Sequence, residues 1–398
     1  MPVFLSLGAK YLYPEILKEE AVERLIELGK VSDAHEFLER TFQSPASVRA
    51  GDFIRELMDD VGLRTWVDQM GNVHGRIKGM NPSEKALLIG SHLDTVIDAG
   101  MYDGALGIIT AISALKVLNS TGRLGGLRRP VEVIAFSDEE GVRFQSTFLG
   151  SAEISGALSV STLHVQDKSG VTVQDALKIN SIDATEENLL QLKYDPKSVW
   201  GYIEVHIEQG PVLETAGFPL GVIVKGSQGH AGTVPMKLRQ DPMAAAAELI
   251  VLLESLCKQP EDYLSYDGQC ADSTVQSLAG SLVCTVGEIS TWPSASNVIP
   301  GQASHDANAV ICDQGLSSEL KSAAYAALKR LTGENLDNVP MFMNGAGHDA
   351  MVMSHLTKVA MLFVRCRGGI SHSPAEHVSD DDIWTAGLAV LAFLETLI

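Results

Sequence analysis

Apolar and polar residues along this chain alternate in two rhythms. Helical spacing marks residues 15–28 (EILKEEAVERLIEL) and 48–58, the second predicted to end near Gly62. The segment LRTWVDQMGNVHGRI then alternates and is split by Met70-Gly71-Asn72, which predicts a hairpin. Four short apolar runs follow, ALLIGSH at 86–92, PVEVIAFS at 130–137, VWGYIEVH at 199–206 and KVAMLFV at 358–364, each bounded by polar turns. Runs of this kind suit strands covered on both faces. Amphipathic stretches at 105–118, 242–257, 317–331 and 382–397 separate or follow them. Strands alternating with helices predict an α/β sheet with helices on its faces.

The segment from about 223 to 304 differs in character. It holds the Gly-rich KGSQGHAG, a helix opened by Asp241-Pro242, a polar stretch near 259–275 and one strand-like run, SLVCTVGEIST. The expected organisation is a main domain in two parts, 1–222 and 305–398, with a smaller domain, 223–304, inserted between them.

Composition narrows the partners. Of 398 residues, 50 are acidic and 30 basic, a formal charge of −20. Such a surplus repels phosphate backbones and anionic lipid, so nucleic acid is not an expected partner, whereas metal cations are. No apolar run reaches the roughly 18 residues of a membrane span. The N-terminus lacks the basic-then-apolar layout of a secretory signal. Five cysteines, at 257, 270, 284, 312 and 366, form no CxxC pair and read as buried or free thiols.

Candidate chemistry gathers where the strands end. ALLIG runs into Ser91-His92-Leu93-Asp94, and Asp103-Gly104 follows nine residues after Asp94. VEVIAF leads to Ser137-Asp138-Glu139-Glu140-Gly141, YIEV to His206-Ile207-Glu208-Gln209-Gly210, and LFV to Ser371-His372-Ser373-Pro374-Ala375-Glu376. Ligands of open α/β sheets bind at that carboxyl edge. Imidazole and carboxylate without nearby thiolate suit Zn, Mn, Ni or Co. Asp94, two residues beyond His92 on extended backbone, is placed to orient it. Asp103 could bridge two metals, and of Glu139 and Glu140 one could ligate while the other takes a proton. His35, His74, His164 and His355 fit no such pattern and read as structural.

The set GSHLDT…YDGALG, FSDEEG, HIEQGPVLE, GSQGHAGTVP, NVIPG, NGAGHDA and GISHSPAE resembles the M20-type binuclear amidohydrolases. More narrowly it is similar to their ureido-cleaving branch, which acts on N-carbamoyl amino acids, ureidoglycolate or allantoate. RTFQSPAS, FSDEEGVRFQSTFLGSA, STWPSASNVIPG and FVRCRGGISHSPAEHV look most like the plant allantoate-hydrolysing members. The resemblance implies a phosphorylase/hydrolase-like catalytic domain, a mixed central sheet with flanking helices, and an inserted α+β lid that also makes a homodimer contact. It implies two divalent ions, manganese by preference. His92 and His206 would hold one metal and Glu140 and His372 the other, with Asp103 bridging and Glu139 as general base. His230 and Asn297 of the lid would grip the small ureide substrate, and Gln209, Gly347 and His348 would line the pocket. The implied reaction converts allantoate and water to ureidoglycine, ammonia and carbon dioxide. Ureidoglycolate, N-carbamoyl amino acids, peptides and a non-catalytic ureide-binding role are the alternatives. Plant relatives of this branch are placed in the endoplasmic reticulum, which is therefore the implied compartment.

The lid departs from the family pattern. Asn297-Val298-Ile299-Pro300-Gly301-Gln302 passes at once to Ala303-Ser304-His305-Asp306, where relatives continue with a strand carrying Asp-x-Arg, a helix and a further strand. The lid is thus expected to be shortened, which bears on both substrate clamping and dimerisation.

Overall fold

A computed structural model describes residues 13–223, 229–230, 290–292, 298–299, 302–304, 312–332, 339–342 and 347–398. The chain separates into two compact units, Met1–Val224 with Val310–Ile398, and Lys225–Ala309.

The first unit is built on an eight-stranded sheet: β1 (Arg64–Val67), β2 (Val73–Ile77), β3 (Ala86–His92), β4 (Val131–Phe136), β5 (Val199–Ile207), β6 (Leu220–Ile223), β7 (Met341–Phe342) and β8 (Val359–Val364). Their spatial order is β1-β2-β4-β3-β5-β8-β6-β7. The centre, β4-β3-β5-β8, is parallel, whereas β2 on β4 and β6 on β8 are antiparallel, so the sheet is mixed. The alternating segment around Met70-Gly71-Asn72 forms the β1–β2 hairpin. The four apolar runs are the four central strands, and every residue of β3, β4 and β8 is buried. The flanking strands β6 and β7 have no counterpart in the sequence reading, because two to four residues carry too little periodicity.

Helices cover both faces. The main ones are α1 (Ala21–Gly29), α2 (Pro45–Asp60), α3 (Ala105–Ser120), α4 (Leu149–Ser155), α5 (Gln314–Thr332), α6 (Asp349–Met353) and α7 (Asp380–Glu395). A π-helical turn, Glu15–Glu20, precedes α1. Helix α2 begins three residues before its predicted start because Ser44 caps the Ser47 amide and Pro45 needs no donor in the first turn. Helix α3 is apolar nearly all round and is covered on nearly every side.

Side-chain alternation sorts the central strands between two cores. Leu87 and Ile89, Val131, Val133 and Ala135, Ile203 and Val205, and Leu362 and Val364 pack against α1, α3, α5 and α7. Leu88, Ile134, Phe136, Tyr202, Met361 and Phe363 face the opposite way, with Ile154 of α4 and Met353 of α6. Parity sends His92, Glu204 and His206 to this second face. Gly90 pairs with Glu204, so two residues later His92 and His206 stand side by side at the carboxyl edge. Cys312 and Cys366 are free and buried.

In the second unit, Gly229–His230 pairs antiparallel with Val298–Ile299, and Ser290–Trp292 with Gln302–Ser304. The helix expected at 242–257 and most of the strand-like run at 281–289 lie outside the described residues.

Candidate metal centre

The carboxyl ends of β3, β4 and β5 and the loop after β8 deliver imidazoles and carboxylates to one buried place. His92 Nε2 and His206 Nε2 approach to 3.3 Å, and each lies close to Asp103 Oδ1, at 3.2 and 3.0 Å respectively. The other oxygen of Asp103 faces a second group, with His372 Nε2 at 3.4 Å. That same nitrogen stands 3.3 Å from Glu140 Oε1. The donor atoms thus fall into two sets, His92–Asp103–His206 and Asp103–Glu140–His372, which share Asp103 and are each compact enough to surround one ion. Glu139 groups with His92 and Glu140.

Ring protons decide whether this set suits a cation. His92 Nδ1 lies 3.0 Å from the Asp94 carbonyl oxygen, and His206 Nδ1 lies 2.9 Å from that of Ile207. A carbonyl only accepts, so each Nδ1 carries the proton and each Nε2 can present a lone pair. Two such lone pairs and an Asp103 oxygen converging within 3.3 Å need positive charge between them. The residues therefore fit divalent metal. Without an ion, protons take that part: burial opposes ionisation, but the His206 and His92 imidazoles hold Asp103 well below the usual carboxylate range. Burial pushes Glu139 well above its ordinary value, the His92 charge opposing, so this carboxyl holds a proton readily.

Backbone geometry fixes the ligating loops. Gly104 adopts φ +64°, and a Cβ there would collide with the His92 carbonyl oxygen and stand 2.7 Å from its imidazole. Glycine after Asp103 thus lets the two donors close on each other. His372 also lies in the left-handed region, φ +54°, and its side chain is 47% exposed, unlike the other four donors.

Asp94 acts differently from its expected part. Its main-chain oxygen, not its carboxylate, meets His92, since Oδ1 is 3.7 Å from Nδ1. The carboxylate instead accepts the amides of Glu139 (2.9 Å) and Glu140 (3.1 Å), tying two loops together. Gln209 Nε2 donates to Asp103 Oδ2 at 3.1 Å. His348 is buried with its ring 4.4 Å from that of His206, and burial together with the His206 charge keeps it neutral. Gly347 abuts Phe148, where a Cβ would stand 3.0 Å from the ring. His230 lies in the short Gly229–His230 strand of the second unit, its side chain undescribed, and Asn297 lies outside the described residues.

Two carboxylates of this neighbourhood have no role assigned from the sequence. Glu204 sits with His206 and His348, and its signal is the i, i+2 spacing on β5. Glu376 accepts the amides of Tyr102 (2.7 Å) and Asp103 (3.1 Å), and so holds the bridging residue's backbone.

Known proteins resemble this chain over most of its length. The model of Peptidase family M20/M25/M40 matches residues 88–396. Allantoate deiminase 1 of Glycine max is 64% identical over 438 positions, covering 97% of this chain and 91% of its own. Allantoate deiminase of Arabidopsis thaliana is likewise 64% identical, covering 98% and 84%. Among solved structures, AtUAH in complex with (S)-hydroxyglycine superposes with a TM-score of 0.69 at 26% identity, covering 95% of this chain and 97% of that one. The chain belongs to peptidase family M20/M25/M40.

Proposed function

We propose that this chain is a divalent-metal-dependent hydrolase that cleaves a ureido C–N bond of allantoate, giving ureidoglycine, ammonia and carbon dioxide. The observation that carries the substrate is the near-full-length likeness to plant allantoate deiminases at 64% identity. Supporting the chemistry are the two donor sets that share Asp103.

In this reading His92, Asp103 and His206 hold one cation, and Asp103, Glu140 and His372 the other. Two bound cations supply the charge that polarises the ureido oxygen and brings a water's pKa towards neutrality. Glu139 takes the proton as the water oxygen bonds to the ureido carbonyl carbon. It then returns that proton to the departing nitrogen as the C–N bond breaks. The carbamate left by the first cleavage loses its remaining nitrogen, which accounts for one amine, one ammonia and one carbon dioxide. Gln209, with its amide on Asp103 Oδ2, steadies the shared carboxylate. His230 and Asn297 are assigned to the substrate's oxygens on their motifs alone. Manganese as the resident ion, a homodimer formed through the second unit and the endoplasmic reticulum as compartment complete the proposal.

A second reading keeps the metal centre and loses most turnover. It is favoured by length: an alignment of 438 positions exceeds this 398-residue chain, so at least forty positions of the soybean relative have no counterpart here. One experiment tests both. Manganese-loaded protein is assayed for ammonia release from allantoate, with and without a chelator, alongside its metal content. Release that stops on chelation and returns with manganese supports the first reading. Bound metal without release supports the second, and release indifferent to chelation overturns both.

A further inference from the structure

One buried amide outside the donor sets holds both ends of the loop that carries Glu139 and Glu140. Asn72, in the turn of the β1–β2 hairpin, is fully buried. Its Oδ1 accepts the Ser137 amide at 3.1 Å, where β4 ends and the loop begins. Its Nδ2 donates to the Gly150 carbonyl at 3.2 Å, where α4 takes over from the loop. The fit is close on every side: a Cβ on Gly150 would fall on Asn72 Oδ1 and stand 2.9 Å from the Ser137 nitrogen. Ser137 Oγ adds a bond to the Met70 carbonyl at 2.9 Å. Within the loop, the Leu149 amide closes on the Asp138 carbonyl at 2.8 Å.

The amide can face only one way. Nδ2 also donates to Asp68 Oδ2 at 2.8 Å, and a carboxylate cannot donate in return, so Oδ1 must turn to Ser137. Asp68 is itself fixed, accepting the amides of Met70 and Asn72 at 2.9 Å each and bonding His74 Nε2 at 3.0 Å. His74 Nδ1 meets Glu132 Oε1 at 2.9 Å, and Glu132 also accepts from Arg76 and Tyr194. Asp68, Asn72, His74 and Glu132 are all buried, so each bond is made away from water.

We propose that Asn72, oriented by the chain Glu132–His74–Asp68, is a positioning residue for the loop bearing the general base and a metal ligand. The proposal rests on the roles given above to Glu139 and Glu140. Asp94 grips the same loop at its middle, through the amides of those two residues. Asn72 supplies the grip at its two ends, and together they fix the backbone from which the Glu139 carboxylate projects. Displacement of a catalytic group by a fraction of an ångström lowers turnover without weakening ground-state binding.

The test compares Asn72→Asp, which keeps the acceptor for Ser137 but loses the donor to the Gly150 carbonyl and places two carboxylates face to face, with the double substitution Asp68→Asn/Asn72→Asp, which restores a donor–acceptor pair between the two side chains but not the Gly150 bond. Turnover per manganese-loaded site and amide hydrogen exchange of the metal-free proteins are measured. For Asn72→Asp, kcat falls about 10- to 100-fold with KM nearly unchanged. Exchange rises across residues 137–150 while β3 and α3 keep their protection, and the double substitution recovers part of both losses. A kcat within about twofold of the parent and unaltered exchange overturn the proposal. So does lost protection across β3 and α3 with no recovery in the double variant, since that is general destabilisation. If the parent chain itself does not hydrolyse allantoate, the functional reading fails, and exchange at 137–150 decides the positioning role alone.

Discussion

Asp103 draws its importance from having two oxygens that face different partners, and everything adjacent to it serves that posture. Gly104 removes the Cβ that would keep His92 away, and Glu376 takes the amides of Tyr102 and Asp103. Gly104→Ala is accordingly expected to separate His92 from Asp103. Titration with manganese followed by metal analysis should show binding at His92, Asp103 and His206 lost or weakened at least tenfold, and full occupancy would refute the steric argument. Glu139 presents a different case, because it stands among the donors but is assigned the proton. Glu139→Gln should keep both metals and lose about 10²- to 10⁴-fold in kcat, the usual worth of a general acid–base group. Loss of metal together with activity would make Glu139 a ligand instead.

Elements explain how far the site could be read before the fold. The central strands were legible because residues covered on both faces give unbroken apolar runs, and their polar ends marked where His92, Glu139, Glu140 and His206 would gather. Three features were not legible. The sequence places Asp94 to orient His92 but does not say which of its oxygens does so. Its carbonyl does so, and the carboxylate is spent on the Glu139–Glu140 loop. Strands β6 and β7 were too short to show a period. His74 reads as structural and is so, but its two carboxylate partners come from Asp68, six residues away, and Glu132, on another strand, a juxtaposition that the β2–β4 pairing creates.

That histidine makes a prediction about pH. Burial disfavours its charge, but the hydrogen bonds to Asp68 and Glu132 outweigh it and raise His74 from 6.5 to about 9. The folded state therefore binds this proton more tightly than the unfolded chain. The resulting stabilisation is complete below pH 6.5 and lost as pH rises through 9. Denaturant unfolding of the metal-free chain should show a loss on the order of 3 kcal/mol across that window from this group. In His74→Gln that portion of the pH dependence should vanish, and an unchanged profile would mean that His74 is neutral in the folded state.

At the scale of the whole molecule, the acid excess resolves into a local and a general part. Three carboxylates, Asp103, Glu139 and Glu140, join the donor sets in the centre, with Asp94, Glu204 and Glu376 buried beside them, while other described acids, such as Asp52 and Asp381, stand at the surface. Converged donors without a counter-charge weaken the first unit, so metal binding should stabilise it. Removing divalent ions with a chelator is expected to lower the Tm by several degrees, and manganese to restore it. A Tm indifferent to metal would mean that the donor sets do not hold one. The relatives of this chain carry different substrate names, allantoate deiminase among the plant ones and N-carbamoyl-L-amino acid amidohydrolase among the bacterial ones. The direct measurement is kcat/KM of the manganese-loaded chain for allantoate against ureidoglycolate and an N-carbamoyl amino acid, followed by ammonia release. A clear preference for allantoate is expected, with turnover on it largely lost in Glu139→Gln. Equal rates on all three, or a preference for either rival, would contradict it.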